Sequence, residues 1–442
     1  MHNRDFRSLF LAQVVVFASD WFVLVPLVVL LPELTGSGLW GALVLSADTG
    51  IVALLLPFTG TVADRVDRKK IMMTANLAAI GAVLLLLTVR SAATGWVALV
   101  AMVAFAVAKA FYSPASSAAL PNVVPDEDLA AANALSGSAW GTMAVVGASL
   151  GGVLSAAFSP YTCFLVTAVG LAVAAALAWR IDRPLQAARG GGPPSRTWPA
   201  IREAMRYLRH ERRVLALVTV KSAVGMGNGV LAVFPVLAAA LGAGALGTGL
   251  LFAARGLGAV IGPLLLRRVL THRSWLLPGL AISMGSYGLT YLGVAAAPSF
   301  ALVLVLVVVA HISGGGNWTM SSFALQTEVP DALRGRVLAV DMMLATLSIS
   351  VSLLVVGAFV DHLPARVLVA CCGMVTLLYA IGWRWATARL PQPEPGGPGP
   401  GGPGPGGPGP GGPGPGGPGP GGTGPGGTGP AELEPAREPA LR

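Results

Sequence analysis

The sequence predicts an all-α membrane protein of twelve transmembrane helices in two parallel-repeat six-helix bundles. Three observations lead there. First, 54% of the residues are hydrophobic and only 11% are charged, where a soluble domain carries about 25% charged residues. That leaves too little polar surface to coat a globule in water. Second, apolar runs recur from Ser8 to about Thr387, each near the ~20 residues a helix needs to cross a ~30 Å hydrocarbon core. Third, one pattern occurs twice. Ser116-Ser117-x-Ala119-Leu120-x-x-x-Val124-Pro125-Asp126 returns as Ser321-Ser322-x-Ala324-Leu325-x-x-x-Val329-Pro330-Asp331, at a constant offset of 205 residues. Each copy ends a span and enters a loop, which is the signature of two parallel halves related by an axis along the membrane normal.

Taken in order, the first six spans lie near 8–31, 39–62, 71–89, 96–113, 128–157 and 160–180. The first holds a single charge, Asp20. It is too long for a leader peptide, and Leu30-Leu31-Pro32-Glu33 offers no small-residue cleavage site. The second set lies near 214–241, 248–266, 275–296, 300–326, 337–360 and 366–387. Between the sets runs a basic segment, Arg180 to Arg213, with a flexible break at Gly190-Gly191-Gly192-Pro193-Pro194. In the stretch that follows, Ile201, Met205 and Leu208 share one face at helical spacing, as in an amphipathic helix lying on a membrane surface. From about Pro391 the chain is built of Gly-Gly-Pro-Gly-Pro units. Glycine does not recur at every third place, so collagen is excluded, and the composition predicts disorder. The expected domains are therefore 1–181, a six-helix bundle; 182–213, a cytoplasmic linker; 214–389, a second bundle; and 390–442, a tail.

Charge sets the expected orientation. The odd-numbered loops hold only Arg90 and Arg366. The N-terminus, the even-numbered loops, the central segment and the stretch after the last span hold twenty-two basic residues. Both termini and the linker should thus face the cytoplasm in a multi-pass cell-membrane protein. The net charge of +9 sits in these short loops and does not point to nucleic acid. Cys163, Cys371 and Cys372 fall inside spans with no accompanying Cys/His cluster, so they are expected to be buried small apolar residues and no metal or cofactor is expected. Gly242-x-Gly244-x-x-Gly247 matches a dinucleotide loop only by letter, since no strand precedes it, and no phosphate loop for ATP exists.

The loop between spans two and three reads Gly60-Thr61-Val62-Ala63-Asp64-Arg65-Val66-Asp67-Arg68-Lys69-Lys70. It resembles the signature loop of the major facilitator superfamily, G-x-x-x-D-R-x-x-R-K. In that light Gly60 permits close helix approach, and Asp64, with Arg65 and Arg68, forms a conformational latch. Asp64 would accept bonds from Arg68 and from the positive end of a facing helix, pinning span two against span eleven. The equivalent second-half loop keeps Gly262 and Arg267-Arg268 but lacks the aspartate. Asn3–Trp21, Phe111–Leu135 and Glu328–Leu344 are similar to the branch that contains enterobactin exporters and macrolide-efflux proteins. In span five, Gly147, Gly151 and Gly152 look like the antiporter motif G-P-x-x-G-G, with Ala148 where proline is usual. Small residues there also suit close packing alone.

Ionisable residues inside spans are the remaining chemistry. A charge at mid-bilayer costs ~2.5–3.5 kcal/mol even on the lenient insertion scale, so it faces a cavity or a partner. Asp20 and Asp48 are the proton-coupling candidates; a structural ion pair is the competing role for each. Lys109, Lys221, Arg255 and His311 are cavity or substrate candidates. The competing roles are snorkelling for the lysines, a structural contact for Arg255 and a packed neutral imidazole for His311. The family arrangement implies that spans one, four, seven and ten line a cavity, bringing Asp20, Lys109, Lys221 and His311 to it. The resemblance implies a secondary transporter exporting a drug, siderophore or similar amphipathic metabolite in exchange for protons, monomeric, with no ATP used. A proton-coupled importer, a permease subunit or a membrane-embedded enzyme are the competing classes. The tail offers no apolar side chains to pack, so deleting residues 392–442 is expected to leave transport unchanged at equal membrane abundance. A drop in uptake or efflux in that deletion would assign the tail a role.

Overall fold

The computed structural model describes residues 3–186, 197–266 and 275–390, all within one unit, Met1–Pro400. The Gly190–Pro194 break, Arg267-Arg268 and the Gly/Pro-rich tail lie outside the described residues. Fourteen α-helices are described: α1 (Arg4–Thr35), α2 (Leu39–Arg65), α3 (Arg68–Leu85), α4 (Gly95–Val123), α5 (Leu129–Ala157), α6 (Pro160–Trp179), α7 (Thr197–His210), α8 (Arg212–Gly227), α9 (Phe234–Ala240), α10 (Gly244–Leu266), α11 (Leu276–Ala296), α12 (Phe300–Glu328), α13 (Asp331–Phe359) and α14 (Ala365–Thr387). Among the described residues, ten helices are long and apolar enough to cross a membrane. Of the other two of spanning length, α5 is apolar over Gly141–Ala157, and α11 carries Tyr287 and Tyr291, which lower its hydropathy. Leu54, Val169, Leu289 and Leu378 are among many large apolar side chains left on the outer surface, as lipid contact requires.

Local chemistry sets the helix ends. Asn3 caps α1 by accepting from the amides of Asp5 and Phe6. Ser159 and Ser299 do the same for α6 and α12. Gly36, at φ 73°, turns the chain out of α1. The two copies of the repeated pattern end their helices alike. Val124 and Val329 are extended, as a residue before proline must be, and each amide bonds back to the carbonyl four residues earlier, Leu120 and Leu325.

One expected span differs. The run 214–241 is broken into α8, a short tight turn at Asn228–Ala232 and α9. Gly225, Gly227, Gly229 and Pro235 weaken the helix here. The backbone exposed by the break is met by Ser352 of α13, which accepts from the Gly229 amide at 3.1 Å and donates to the Met226 carbonyl. A broken helix is tolerated in a bilayer on that condition. The helix α7 docks on α8, α13 and α2. It buries Ala204 and Leu208 and leaves Met205 exposed, so its inward face is rotated from the expected stripe, toward protein. Cys163 and Cys372 are buried as expected, but Cys371 is exposed on the outer face of α14.

Two helix pairs make most of the contact between the first six helices and the rest, α2 with α13 and α5 with α10. In the first, Ser46 and Ser350 hydrogen-bond each other at 2.8 Å. The second is a glycine contact. A Cβ on Gly152 would stand 2.8 Å from the Cα of Gly249, closer than side-chain carbons come to backbone. Overpacking of this kind costs about 1–3 kcal/mol. Gly152→Val is therefore expected to lower thermal stability and transport at unchanged expression. Gly81→Val, where nothing lies within 4 Å, is expected to leave the melting temperature where it was. Equal melting curves for the two variants would show that the α5–α10 contact is not tight.

Candidate functional site

The middle of the first six helices holds an ion triad. Lys109, from the centre of α4, places Nζ 2.6 Å from Oδ1 of Asp48 on α2 and 3.3 Å from Oδ2 of Asp20 on α1. All three side chains are less than one-fifth exposed. Lys109 is thus not snorkelling; it is held between two carboxylates. One ammonium against two carboxylates leaves an excess negative charge in a dehydrated place. The second oxygen of Asp20, Oδ1, is buried with no hydrogen-bond partner from the protein. About two turns away, Gln13 donates to Ser116 at 3.1 Å and accepts from Ser136 at 3.2 Å, linking α1, α4 and α5.

The later helices hold a second pair. Lys221 of α8 is fully buried against Asp341 of α13, and both side chains have no exposed area. Lys221 also donates to Ser322 of α12 at 2.9 Å and lies 5.2 Å from the Trp318 ring. Sequence reasoning named Lys221 but missed Asp341. The signal was available, since Asp341 falls inside the expected span 337–360.

Arg255 and His311 belong to a third group. Arg255 of α10 lies over Trp21 of α1, 5.7 Å from the ring centroid, a cation–π contact between helices. His311 of α12 is buried, with Nε2 2.9 Å from the Tyr291 hydroxyl and its ring edge-on to Tyr287. The structure therefore brings Asp20, Asp48 and Lys109 together, pairs Lys221 elsewhere, and sets His311 among the tyrosines of α11.

The signature loop is arranged differently from expectation. Asp64 pairs with Arg68 of its own loop at 3.7 Å and its side chain is 72% exposed. Among the described residues no ion pair joins Asp64 to α13. Arg68 donates to the carbonyls of Ala118 at 2.7 Å and Leu185 at 3.0 Å, which ties the loop to the ends of α4 and α6. Arg65 also lies in this loop. No atom stands within 4 Å of a Cβ on Gly60, so the close approach expected of it is not made here; this end of α2 has no neighbour at that point. The antiporter-like glycines do pack closely. Gly147 and Gly151 face the α1 backbone at Ala18 and Trp21, and Gly152 faces α10.

At the other end of α2 a clasp joins the two sets of helices. Asp361, after α13, accepts from the Gly38 amide at 2.7 Å and from the Ser37 hydroxyl. It thereby caps α2, whose own N-cap residue, Gly38, has no side chain to do so. Burial works against its charge, but the Ser37 hydroxyl and the amides of Gly38 and Leu39 outweigh that. They hold its carboxyl below the ordinary carboxylate range.

Residues 1–395 match the major facilitator family described as transmembrane secretion effector. The chain belongs to the major facilitator superfamily. It is a transporter of the membrane and not an enzyme. An uncharacterized MFS-type transporter of Mycobacterium tuberculosis is 30% identical over 355 residues, 72% of this chain and 76% of that protein. Macrolide efflux protein A of Streptococcus pyogenes is 25% identical over 219 residues, 49% of this chain and 54% of its own length. Among solved structures, the nucleoside transporter NupG aligns with a TM-score of 0.68 at 16% identity, covering 87% of this chain and 99% of its own. The POT family transporter PepTSo aligns at 0.70 and 13% identity, covering 88% and 98%. These structural likenesses show a shared fold.

Removing one partner of a buried ion pair strands the other charge and costs about 3–5 kcal/mol, whereas replacing both by apolar groups is often neutral. Lys221→Met is therefore expected to destabilise this transporter strongly, and Lys221→Met with Asp341→Leu to recover most of the loss. Thermal unfolding of the purified proteins checks it. A double variant no more stable than the single one would show that the pair is not isolated in this way.

Proposed function

We propose that the chain is a proton-driven exporter of a drug, siderophore or similar amphipathic natural product, working by alternating access. The observation that carries the reading is the triad. Two carboxylates sharing one buried ammonium hold a charge that a single proton cancels. Desolvation penalises the excess charge, and a proton taken up by the triad removes it. Asp20 is the first choice, because one of its oxygens carries no bond from the protein and is the better placed to be protonated. Likeness to macrolide efflux protein A supports export of an amphipathic compound, and the antiporter-like glycines of α5 support exchange.

The architecture proposed is twelve spanning helices in two six-helix repeats, 1–181 and 214–389, joined by the linker 182–213. Two matching knots support it. Gln13, Ser116 and Ser136 join the first, fourth and fifth helices of one half. Lys221, Ser322 and Asp341 join their counterparts in the other, at sequence offsets close to that of the repeated pattern. With both termini in the cytoplasm, as the loop charges favour, the Asp361 clasp and the α5–α10 contact lie toward the outside and the signature loop lies inside. The conformation is then inward-facing. Asp64, exposed here, is proposed to engage α13 when the inner end closes, and the transporter is proposed to work as a monomer.

Asp20→Asn is expected to abolish export driven by a pH gradient while downhill exchange of substrate persists. Proteoliposomes with imposed ΔpH and a panel of macrolides and other lipophilic compounds provide the assay. A variant that concentrates substrate as well as the parent protein would assign Asp20 a structural role and leave Asp48 as the candidate.

A further inference from the structure

Asp20 has a second environment, on the side away from Asp48. A cavity of about 10 Å³ opens inside the first six helices, lined by Asp20 of α1, Asn76 of α3, Phe105, Lys109 and Tyr112 of α4, and Leu171 of α6. Three of these side chains carry a buried polar atom that no protein group satisfies: Oδ1 of Asp20, Nδ2 of Asn76 and the hydroxyl of Tyr112. Asn76 and Tyr112 are each 2% exposed. A buried polar atom without a partner is destabilising, and proteins leave only a few. Three around a single small cavity are a constellation with a common partner.

We infer that this cavity binds one water molecule shared by Asp20, Asn76 and Tyr112, and that the water positions the free oxygen of Asp20. The size fits, since about one probe sphere of 10–15 Å³ holds a single water. The chemistry fits as well. A water needs two to four polar partners, and here it accepts from the Asn76 amide, donates to the Asp20 carboxylate, and exchanges a bond with the Tyr112 hydroxyl. A metal cation fits poorly, because the Lys109 ammonium lines the same space and would repel it. The walls are otherwise apolar, and all the lining helices belong to the first six, so the site stands apart from the contacts between α2 and α13 and between α5 and α10.

The positioning role rests on the reading of Asp20 as the proton-coupling carboxylate; the water site itself does not. The titratable groups facing Asp20 are Asp48 of α2 with Lys109 and Tyr112 of α4. From α3 comes the neutral Asn76, from α6 only Leu171, and on α10 Arg255 stacks over Trp21, the next residue of α1. The water thus ties one oxygen of Asp20 while Lys109 holds the other. Tyr112 and Asn76 are positioning residues, acting on the proton through the water.

The test uses the full-length protein and the hydroxyl deletion Tyr112→Phe, which leaves the ring in place. A shared water predicts a lower melting temperature for Tyr112→Phe. It also predicts a non-additive change when this is combined with Asp20→Asn, although the structure records no bond between the two side chains. An unhydrated cavity predicts the reverse, a gain or no change on removing an unpaired hydroxyl, with simple additivity, and would overturn the site. A melting temperature that rises with Na⁺ or K⁺ at constant ionic strength would replace the water by a cation. For the positioning role, the pH of half-maximal ΔpH-driven transport is expected to shift in Tyr112→Phe and in Asn76→Leu. Lost stability with an unmoved pH profile would leave the water in place and overturn the role. Failure of the coupling reading shows separately, in an Asp20→Asn protein that still exports against a gradient.

Discussion

Charge in a low-dielectric bundle must be compensated within reach of a short side chain, and the described helices are organised around that constraint. A carboxylate at mid-membrane has no water to turn to, so α1, α2 and α4 must bring Asp20, Asp48 and Lys109 within a few ångströms of each other. The same requirement holds α8 to α13 through Lys221 and Asp341. Removing water strengthens each attraction and raises the penalty for leaving any group alone. The two sites differ in balance. Lys221 and Asp341 cancel, whereas the triad carries one negative charge more than its ammonium offsets. A balanced pair is suited to holding helices; an unbalanced triad is suited to taking up a proton.

The second constraint is close approach without a hydrophobic drive. Lipid tails are as apolar as leucine, so helices associate in a membrane through packing and polar bonds. Gly152 against Gly249 lets α5 and α10 meet backbone to backbone, and Ser46 with Ser350 joins α2 to α13. Asp361 adds a charge-assisted cap on α2 from across this junction. These contacts are small, as the proposed alternating-access cycle requires of an interface that opens. The ion pairs lie within each set of helices, and the separable contacts lie between them.

In the signature loop the basic residues and the aspartate are placed differently. Arg68 and Lys69 bind the carbonyls of Ala118, Leu185 and Ile181, and Asn122 donates to the first two as well. That is local architecture. Asp64 is left exposed beside Arg68, available to another helix only if the conformation changes.

By itself the sequence determined the all-helical membrane class, the ionisable residues in the spans and the repeated helix ends. Each of these follows from local facts: the length of an apolar run, the cost of a charge within it, the rule that proline ends the helix before it. Charge counts in the loops also carry the expected orientation, because that signal is read loop by loop. Which carboxylate meets which amine was decided only in the tertiary structure. An α-helix turns 100° per residue, so a shift of one position moves a side chain from a neighbour to lipid. Lys109 is separated from Asp48 by 61 residues and Lys221 from Asp341 by 120. The break at Asn228 was equally hidden, since its glycines read as one apolar span until Ser352 of a distant helix supplies the missing bonds. Asp361 carries no signal of its own in the sequence; only its place at the uncapped start of α2 makes it a clasp.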